Sequence, residues 1–537
     1  MDYSWLIIII TTLCISFFLR KSNNQKNNKK HPPGPGPFDF SVIGSLLWGV
    51  TNIELILRDL KAKYGPLFNL RIGIISRPSI FVASHSLAYT ALVQQGVVFS
   101  DRPKAAQTNV IIHSSRINIS SAPYGPLWRL LRRNLTSAIL HPSRTKSFSK
   151  ARSRALSVLV QQLHYHSDSA KENVIRLIDH FQYATIYLLV LMCFGDKIDE
   201  TQVKRIKDVQ RRWIVSVGRF INLSFLPRWL EKIIFRSRWK ELIQLQLEQE
   251  RIFIPLIEAR KKAKSSNNLN HHEEEEVMAY VDTLLNLELP KEKRKINHGE
   301  IVSLCSEFLT AGTDTTSTSL QWIMANLVKY PSIQEKLYQE ISEVVVHRGN
   351  PKPKGSVIDQ GVVKEEDLEK MPYLKAVILE GLRRHPPGHF LQPHMVREEV
   401  ELNGYVIPKD ATVNFMIAEM GWDPYVWEDP LDFKPDRFLL ADGSDTEEFD
   451  ITGSREIKMI PFSAGRRICP AYRLAMLHLE YFVANLIWHF EWTTADGDNV
   501  DLSEKLEFTV TMKNPLCARI RPRINQLELS PNSCYVI

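Results

Sequence analysis

Hydrophobic and polar positions change their spacing several times along the chain. Residues 5–19 (WLIIIITTLCISFFL) form an uncharged apolar run; with the four residues before it the run reaches about 19, close to the roughly 20 that span a bilayer. Residues 67–74 and 79–83 are strand-like in composition, whereas helical spacing dominates from about residue 127 to about residue 260. The pattern predicts a mainly α protein with a minor β-sheet.

A single long helix is predicted in the second half of the chain. Asn297 is suited to cap it, Glu300 completes a capping box, and no proline follows until Pro331. These limits give roughly 33 residues and about 50 Å, enough to cross a domain. The proline pair at 386–387 ends another helix, and a last long helix begins at Pro470, because proline is favoured in the first turn.

Composition indicates one large globular body. The 537 residues are 44% hydrophobic, 9% aromatic and 24% charged, which excludes a disordered, collagen-like or purely heptad-based chain. The six cysteines, at 14, 193, 305, 469, 517 and 534, are too sparse for a disulfide scaffold and include no CxxC pair of a zinc ribbon. Segment 261–276, with separate blocks of like charge, predicts a solvated loop between two helical tracts.

The net charge of +8 is concentrated near the amino terminus. There a basic cluster without acids follows the apolar run, formed by Arg20, Lys21, Lys26, Lys29 and Lys30. A nucleic-acid-binding protein spreads Lys and Arg over a folded face. The pattern therefore argues against a nucleic-acid partner and for a basic tail beside membrane lipid.

The apolar run has two interpretations, an uncleaved anchor and a cleavable secretory signal. A signal needs positive charge before the run and a small-residue cleavage site after it, and neither is present. The anchor is favoured, and the basic cluster that follows it places the body in the cytosol. Residues 31–37 (HPPGPGP) then form a semi-rigid spacer or, alternatively, a disordered linker. The predicted organisation is an anchor at 1–19, a basic and proline-rich hinge at 20–37 and a globular domain at 38–537.

One cysteine lies in a sequence context that suits metal binding. Residues 461–471 (PFSAGRRICPA) place Cys469 after a basic, glycine-bearing loop and before a predicted helix. Helix N–H groups and the charges of Arg466 and Arg467 favour the thiolate, the form that binds metal. At an arbitrary position, a buried and inert cysteine would be the alternative.

Four residues of this loop, Phe462, Gly465, Arg467 and Cys469, match the pattern FxxGxRxC. Here the chain resembles the cytochrome P-450 superfamily of haem-thiolate monooxygenases. The resemblance implies haem b as cofactor, with Cys469 as the axial iron ligand and Arg467 paired with a haem propionate. It also implies that Gly465 lets the loop pass close beneath the macrocycle and that Phe462 packs beside the sulfur.

Two further motifs occur in the order that this family has. Glu380 and Arg383 match its ExxR element on a predicted helix, and Arg437 belongs to the PxRF element at 435–438. By resemblance the three residues form a buried charge network. Taken alone, an i, i+3 pair is more typical of a solvated helix face.

Residues 311–316 (AGTDTT) match the family's oxygen-binding signature. A glycine costs about 1 kcal/mol inside a helix and the threonines are β-branched, so function rather than helix propensity explains the segment. By resemblance, Ala311 and Gly312 lie against the haem, Gly312 lets the helix open, and Asp314 and Thr315 relay protons during reduction of O2. The alternative is a helix whose hydroxyl groups bond to its own carbonyls.

Trp128 and Arg132 form a WxxxR motif on a predicted helix, at a spacing that puts both on one face. By resemblance both reach haem propionates, and His394 falls where the family often has another propionate partner. Two positions depart from the broader pattern. Ala471 replaces a common glycine, and Pro470 has no N–H to donate to the sulfur.

The resemblance extends over essentially the whole chain and is greatest to plant A-type microsomal members, in particular the group numbered family eighty-nine. It implies the cytochrome P-450 fold with one amino-terminal anchor in the endoplasmic reticulum membrane and a cytosolic catalytic domain. The expected reaction is oxidation, typically hydroxylation, of a lipophilic small molecule such as a plant metabolite. No GxGxxG unit or Fe–S cysteine set is present. NADPH would therefore act only through an NADPH-cytochrome P-450 reductase, with cytochrome b5 as an optional second donor.

Substrate contacts are expected, by family analogy, from residues 104–120, 388–392 and 511–514. Two other functions remain open from sequence. The first is a haem-thiolate isomerase or dehydratase, which needs no reductase; the acid-alcohol pair Asp314-Thr315 argues against it. The second is a membrane-tethered interaction protein without haem, which the cysteine and charge-network motifs disfavour.

Overall fold

The computed structural model describes residues 31–35, 53–70, 78–103, 117–167, 174–221, 236–267, 277–347, 362–440, 449–497 and 499–523. The predicted anchor, the basic cluster and most of segment 104–120 lie outside these ranges. The predicted boundaries at 19/20 and 37/38 also lie outside them.

Within these ranges the protein is mainly helical, as the hydrophobic spacing predicts. The α-helices are α1 (Ile53–Tyr64), α2 (His85–Tyr89), α3 (Pro126–Ala138), α4 (Pro142–Ser147), α5 (Ser149–Ser167), α6 (Leu177–Phe194), α7 (Glu200–Ile221), α8 (Arg236–Asn267), α9 (Tyr280–Leu284), α10 (His298–Lys329), α11 (Pro331–His347), α12 (Pro372–Arg384), α13 (Ile417–Gly421) and α14 (Tyr472–His489).

The strands are short and form small sheets. They are β1 (Leu67–Leu70), β2 (Ser79–Val82), β3 (Val174–Arg176), β4 (His394–Met395), β5 (Val400–Leu402), β6 (Tyr405–Ile407), β7 (Thr412–Phe415), β8 (Phe490–Thr494), β9 (Glu504–Leu506), β10 (Val510–Met512) and β11 (Cys517–Pro522). One sheet has the order β1-β2-β7-β4, with β2 and β7 parallel, and another has the order β3-β11-β8. Strands β5 and β6 form a hairpin, as do β9 and β10.

Helix α10 is the centre of the main core and packs along α6. Its amino end has the predicted capping box: Asn297 Oδ1 accepts the Glu300 N–H at 2.9 Å, and the Glu300 carboxylate accepts the Asn297 N–H at 2.7 Å. The helix ends at Lys329, just before Pro331. The predicted long helix is thus confirmed at both ends.

Two other predicted boundaries need correction. Helix α8 continues to Asn267, so the solvated loop begins at least seven residues later than expected from Lys261. Helix α14 begins at Tyr472, and Pro470 lies in the turn before it. Strand β1 covers Leu67–Leu70 of the predicted run, and residues 71–74 lie outside the described residues.

Helix α6 is the one described helix that is long and apolar enough to cross a membrane, with a mean hydropathy of 1.5. However, 83% of it is buried inside the folded body. A helix that is hydrophobic all round belongs to a membrane or to a large core, and the burial here assigns it to the core.

Residues 31–35 of the predicted hinge pack on the body. The Asn69 N–H donates to the Pro33 carbonyl at 2.8 Å, and His31 Nδ1 lies 2.9 Å from the Val406 carbonyl. A Cβ on Gly34 would lie 2.0 Å from the Asn69 carbonyl oxygen, so glycine is required for this contact. The described part of the predicted hinge is therefore held against the folded body.

Candidate active site

The cysteine loop is shaped by two residues in the left-handed region, Ser463 (φ 66°) and Gly465 (φ 65°). The loop closes where the Cys469 N–H donates to the Phe462 carbonyl at 2.8 Å. A Cβ on Gly465 would lie 1.9 Å from the carbonyl oxygen of Leu92, which belongs to a π-helical turn at Thr90–Gln94. Gly465 is therefore required by its packing against this turn, which the sequence does not reveal.

Arg132, rather than the two arginines of the cysteine loop, is the cation whose charge lowers the pKa of the Cys469 thiol. Cys469 is half-buried, and desolvation raises the pKa of its thiol; a hydrogen bond from the Ala471 backbone and the charge of Arg132 act in the opposite direction. Arg132 Nη2 donates to the Ile468 carbonyl at 2.7 Å. Arg466 points instead to the Tyr124 hydroxyl, 2.9 Å away. The expectation that Arg466 and Arg467 favour the thiolate is thus corrected in favour of Arg132.

Arg467 and Arg132 both lie over the indole of Trp128 on α3. Their guanidinium carbons are 4.6 Å and 5.4 Å from a Trp128 ring centroid. Arg467 is buried and donates to the carbonyls of Ser100 and Ala122 at 2.7 Å and 2.8 Å. The Trp128 Nε1–H is buried and, within the described part of the chain, has no acceptor.

Arg102, which is half-buried, adds a third guanidinium beside this cluster. It donates to the carbonyls of residues Ser120, Gln392 and Pro393 at 2.8–2.9 Å. Burial lowers the pKa of Arg102 to about 9, and repulsion from Arg467 contributes. Burial, opposed in part by the charge of Asp101, lowers the pKa of Arg467 to about 10.

His394 lies at the same place, on β4. Its ring is buried, and Nδ1 lies 2.6 Å from the Phe99 carbonyl. Burial and then repulsion from Arg102 hold its pKa well below the usual value, so the imidazole is neutral. His394 therefore sits beside the arginines without adding to their charge.

The ExxR and PxRF residues are brought together in one buried network. Arg383 makes two bonds to Glu380, at 2.6 Å and 2.8 Å, and both side chains are fully buried. Arg437 Nε donates to the same carboxylate at 3.2 Å, as does the Lys434 N–H at 2.8 Å. Arg383 also donates to the Gly421 carbonyl at 2.6 Å. The pair joins α12 to the long meander rather than lying on a solvated face.

The segment 311–316 lies within uninterrupted α-helix. Thr315 Oγ1 donates to the Ala311 carbonyl at 2.7 Å, so its hydroxyl bonds to its own helix in this state. A Cβ on Gly312 would come within 2.7 Å of a Leu189 methyl group. The structure thus shows Gly312 in close packing against α6, and the expected opening of the helix is absent from this segment.

Asp314 is buried and pairs with Arg211 of α7 at 3.4 Å. The same guanidinium lies 3.6 Å from Glu507. Burial raises the pKa of Asp314, Arg211 opposes the shift, and Glu507 adds to it. The protonated form of the carboxyl group is thereby favoured more than in a carboxyl group exposed to water.

A segment beside the cations also links the cysteine loop to α10. Glu307 of α10 accepts the N–H groups of Ile119 and Ser120 at 2.8 Å and 2.7 Å, while Arg467 donates to the Ile119 carbonyl at 3.3 Å. Two motifs separated by about 150 positions in sequence are thus connected through residues 117–122.

A family model described as "Cytochrome P450" matches residues 32–518. The chain belongs to the cytochrome P-450 family. It is accordingly a monooxygenase-class oxidoreductase, and the family implies haem with a cysteine thiolate, O2 and a lipophilic small-molecule substrate.

Plant cytochromes P-450 are prominent among the relatives. The chain is 47% identical over 504 residues to "Cytochrome P450 89A9" of Arabidopsis thaliana, which covers 92% of this chain and 94% of the relative. It is 30% identical to "Salviol synthase" of Salvia pomifera, over 89% of each chain. The resemblance to plant members and to family eighty-nine is thus confirmed.

A solved zebra fish cytochrome P-450 with progesterone shares the fold. Its TM-score is 0.71 at 22% identity, and the match covers 88% of this chain and all of that one. The cytochrome P-450 fold, mainly helical with small sheets, is thus confirmed for the described body.

The residues around Cys469 fit a haem. The buried Arg467 and the half-buried Arg102 and Arg132 bring three guanidinium groups to one place, and desolvation lowers the pKa of each. Cations withdrawn from water are stabilised by anionic partners. Two propionates supply such charge, and the Trp128 indole offers a buried donor without an acceptor. The fit to a haem thus follows from the cations and the hydrogen-bond donor that this chain supplies beside Cys469.

Some residues of this arrangement were missed from sequence. Arg102 and Glu307 carry no motif signal, because their partners lie between 18 and 290 positions away. Arg211 was missed for the same reason, since Asp314 is 103 positions away. In the sequence, Arg102 is the first residue of an Arg-Pro pair and Glu307 is an isolated acidic residue of a predicted helix. Surface residues have the same local contexts, so neither residue stands out.

Proposed function

We propose that this protein is a membrane-anchored haem-thiolate monooxygenase that oxidises, typically by hydroxylation, a lipophilic plant metabolite. Cys469 is the axial ligand of haem b in this proposal. The observation that carries it is the stacking of the buried Arg467 and the half-buried Arg132 over Trp128, whose buried N–H has no acceptor among the described residues, next to the cysteine loop. When bound, the haem supplies an iron centre that activates O2.

The protein residues have separate tasks in this proposal. Trp128, Arg132 and Arg467 bind the propionates, with His394 as a neutral neighbour. Gly465 shapes the loop that presents Cys469, and Phe462 packs beside the sulfur. Ala311 and Gly312 form the wall of α10 next to the haem, and the network of Glu380, Arg383 and Arg437 holds the core below it.

Protons are supplied by Asp314 and Thr315. The buried Asp314 carboxyl group has a raised pKa and pairs with Arg211, so a small rearrangement of Arg211 changes its protonation. Thr315 Oγ1 donates to its own helix and retains lone pairs that accept a proton. Reduction of one oxygen atom to water consumes two protons, which this acid-alcohol pair delivers. A relay of this kind favours a monooxygenase over an isomerase or a dehydratase.

Electrons come from a separate NADPH-cytochrome P-450 reductase, with cytochrome b5 as an optional second donor. Arg466 and Arg473 support this part of the proposal, because both are exposed beside the cysteine loop. Exposed arginines steer an acidic partner surface toward that face. NADPH itself does not bind this chain.

The proposed location is the endoplasmic reticulum membrane, with the catalytic domain, 38–537, on the cytosolic face. Support comes from the apolar run at 1–19 and from the basic, proline-rich hinge at 20–37. The contacts of residues 31–35 with the body would hold that body at a fixed angle to the lipid.

The carbon monoxide difference spectrum of the dithionite-reduced protein tests the haem assignment. We expect a strongly red-shifted Soret band in the wild type that is lost in Cys469→Ser, because a hydroxyl is a poor substitute for a thiolate donor. The exposed Cys517→Ser is the matched control and should keep the band. An identical spectrum in wild type and Cys469→Ser would remove Cys469 as ligand and with it the proposal.

A further inference from the structure

His389 is held between two carboxylates from distant parts of the chain. Its Nδ1 lies 2.5 Å from Glu54 Oε1 and its Nε2 lies 3.2 Å from Glu504 Oε2. His389 is 5% exposed and Glu54 8%. Glu54 belongs to the first turn of α1, whereas Glu504 begins β9. We call these three residues the carboxylate clamp.

The clamp joins two of the segments that are expected to face substrate. His389 lies inside segment 388–392, and Glu504 is paired in register with Met512 of segment 511–514. The Val510 N–H also donates to the Pro387 carbonyl at 2.8 Å, directly before the first segment. The far end of that segment is held by Arg102 through the Gln392 carbonyl.

Neighbouring groups leave the clamp little freedom. His385 Nδ1 lies 3.3 Å from Glu504, and the His385 ring stacks on Trp322 of α10 with centroids 4.0 Å apart. Trp322 Nε1 donates to the Val510 carbonyl at 2.8 Å. The ring of Trp422 lies edge-on against His389, with centroids 5.1 Å apart.

The charges in the clamp are complementary at neutral pH. Although burial opposes it, the two carboxylates raise the pKa of His389 to about 9. Bonds from the two histidines overcome burial and lower the pKa of Glu504 to about 2. Burial lowers the pKa of His385 to about 4, so this ring stays neutral. One imidazolium thus lies between two carboxylates, with a short charge-assisted hydrogen bond to Glu54 and an ion pair to Glu504.

We propose that His389 is a positioning residue: by bridging Glu54 and Glu504 it fixes the separation of segments 388–392 and 511–514 and so sets the size of ligand that the site accepts. This inference rests on the proposed function, because it assumes that both segments line the substrate side of a haem. A residue with a merely structural role would change stability but would not alter discrimination between a small and a bulky ligand.

The test uses full-length, haem-loaded protein with His389→Gln and Glu504→Gln as separate variants. Each is titrated with imidazole and with 4-phenylimidazole, two iron ligands that differ by one ring, and the Soret shift gives Kd. We expect the Kd for 4-phenylimidazole to rise about tenfold in both variants, because loosening a positioning loop by a fraction of an ångström has an effect of that order. The Kd for imidazole should stay within about twofold.

His298→Gln is the matched control, since His298 pairs with Glu258 at 2.6 Å on the exposed surface. It should change neither Kd. The double variant should bind 4-phenylimidazole about as weakly as either single variant, because both remove the same bridge. Should His389→Gln fail to retain haem, Glu504→Gln decides the question alone.

An unchanged ratio of the two Kd values in haem-loaded Glu504→Gln overturns the clamp. That result leaves the proposed function intact, because the carbon monoxide band reports it separately. Absence of the thiolate band in the wild type instead overturns the proposed function and with it the assumption on which the clamp rests.

Discussion

At the scale of single residues, two glycines with similar φ angles have different surroundings. Gly465 has φ +65° and Gly404 has φ +73°, both in the region that disfavours side chains. A Cβ on Gly465 would meet the Leu92 carbonyl oxygen at 1.9 Å, whereas a Cβ on Gly404 would have no heavy atom within 4 Å. Substitutions at the two positions therefore separate the free-energy cost of a left-handed backbone from the cost of a steric overlap.

We therefore expect Gly404→Ala to lower stability by about 1 kcal/mol, the ordinary cost of a left-handed alanine. Gly465→Ala should lower it by at least about 3 kcal/mol and reduce haem retention, because backbone must also move to relieve the overlap. Thermal unfolding followed by circular dichroism, together with the haem-to-protein ratio, measures both effects. Equal losses in the two variants would contradict a role for the Leu92 contact.

The site residues found from sequence are those with a local signature. Cys469 and the Glu380–Arg383 pair stand in short patterns, and the structure places them in a shaped loop and a buried network. Arg102 and His389 have no such pattern. Their partners are separated from them by 290 and 335 positions, so only the folded chain reveals their contacts.

At the scale of elements, capping chemistry predicted helices better than composition did. The Asn297–Glu300 box and Pro331 predicted the two ends of α10. The box satisfies free backbone N–H groups at the amino end, and the proline has no N–H with which to continue the helix. The charged segment after Lys261 was wrongly predicted to be a loop from its first residue, because lysine favours a helix and serine disfavours one too weakly to end α8. Gly312 suggested an open helix, but its contact with Leu189 is a packing effect that depends on α6.

The Glu380 carboxylate connects α12 to the meander that carries Arg437. In Glu380→Ala the buried Arg383 loses its counter-charge, and a broken buried pair costs roughly 3–5 kcal/mol. We expect loss of most bound haem and of soluble folded protein, measured as the haem-to-protein ratio after size-exclusion chromatography. Glu258→Ala, which removes an exposed partner of His298, is the control and should load haem normally. A Glu380→Ala protein with full haem content would contradict the network's role.

At the scale of the whole molecule, the proposed anchor and the folded body are separate in sequence. Deleting residues 1–19 should release the protein from alkaline-washed membranes while keeping its carbon monoxide band, because the described core makes its contacts without them. Deletion of residues 525–537, a segment of similar length at the other end, is the control and should leave the protein in the membrane fraction. Full retention of the first variant in washed membranes would contradict a single amino-terminal anchor.

The burial of α6 also has a consequence for biosynthesis. Its apolar surface is covered largely by α10, whose first residue is more than 100 positions later in the chain. At roughly 5–20 residues per second, the ribosome needs on the order of 5–25 s to deliver that partner. During this interval α6 has the hydropathy of a membrane span without its main cover. In the proposed anchored protein, early packing of α5 on α6 would therefore protect the nascent chain from a second insertion.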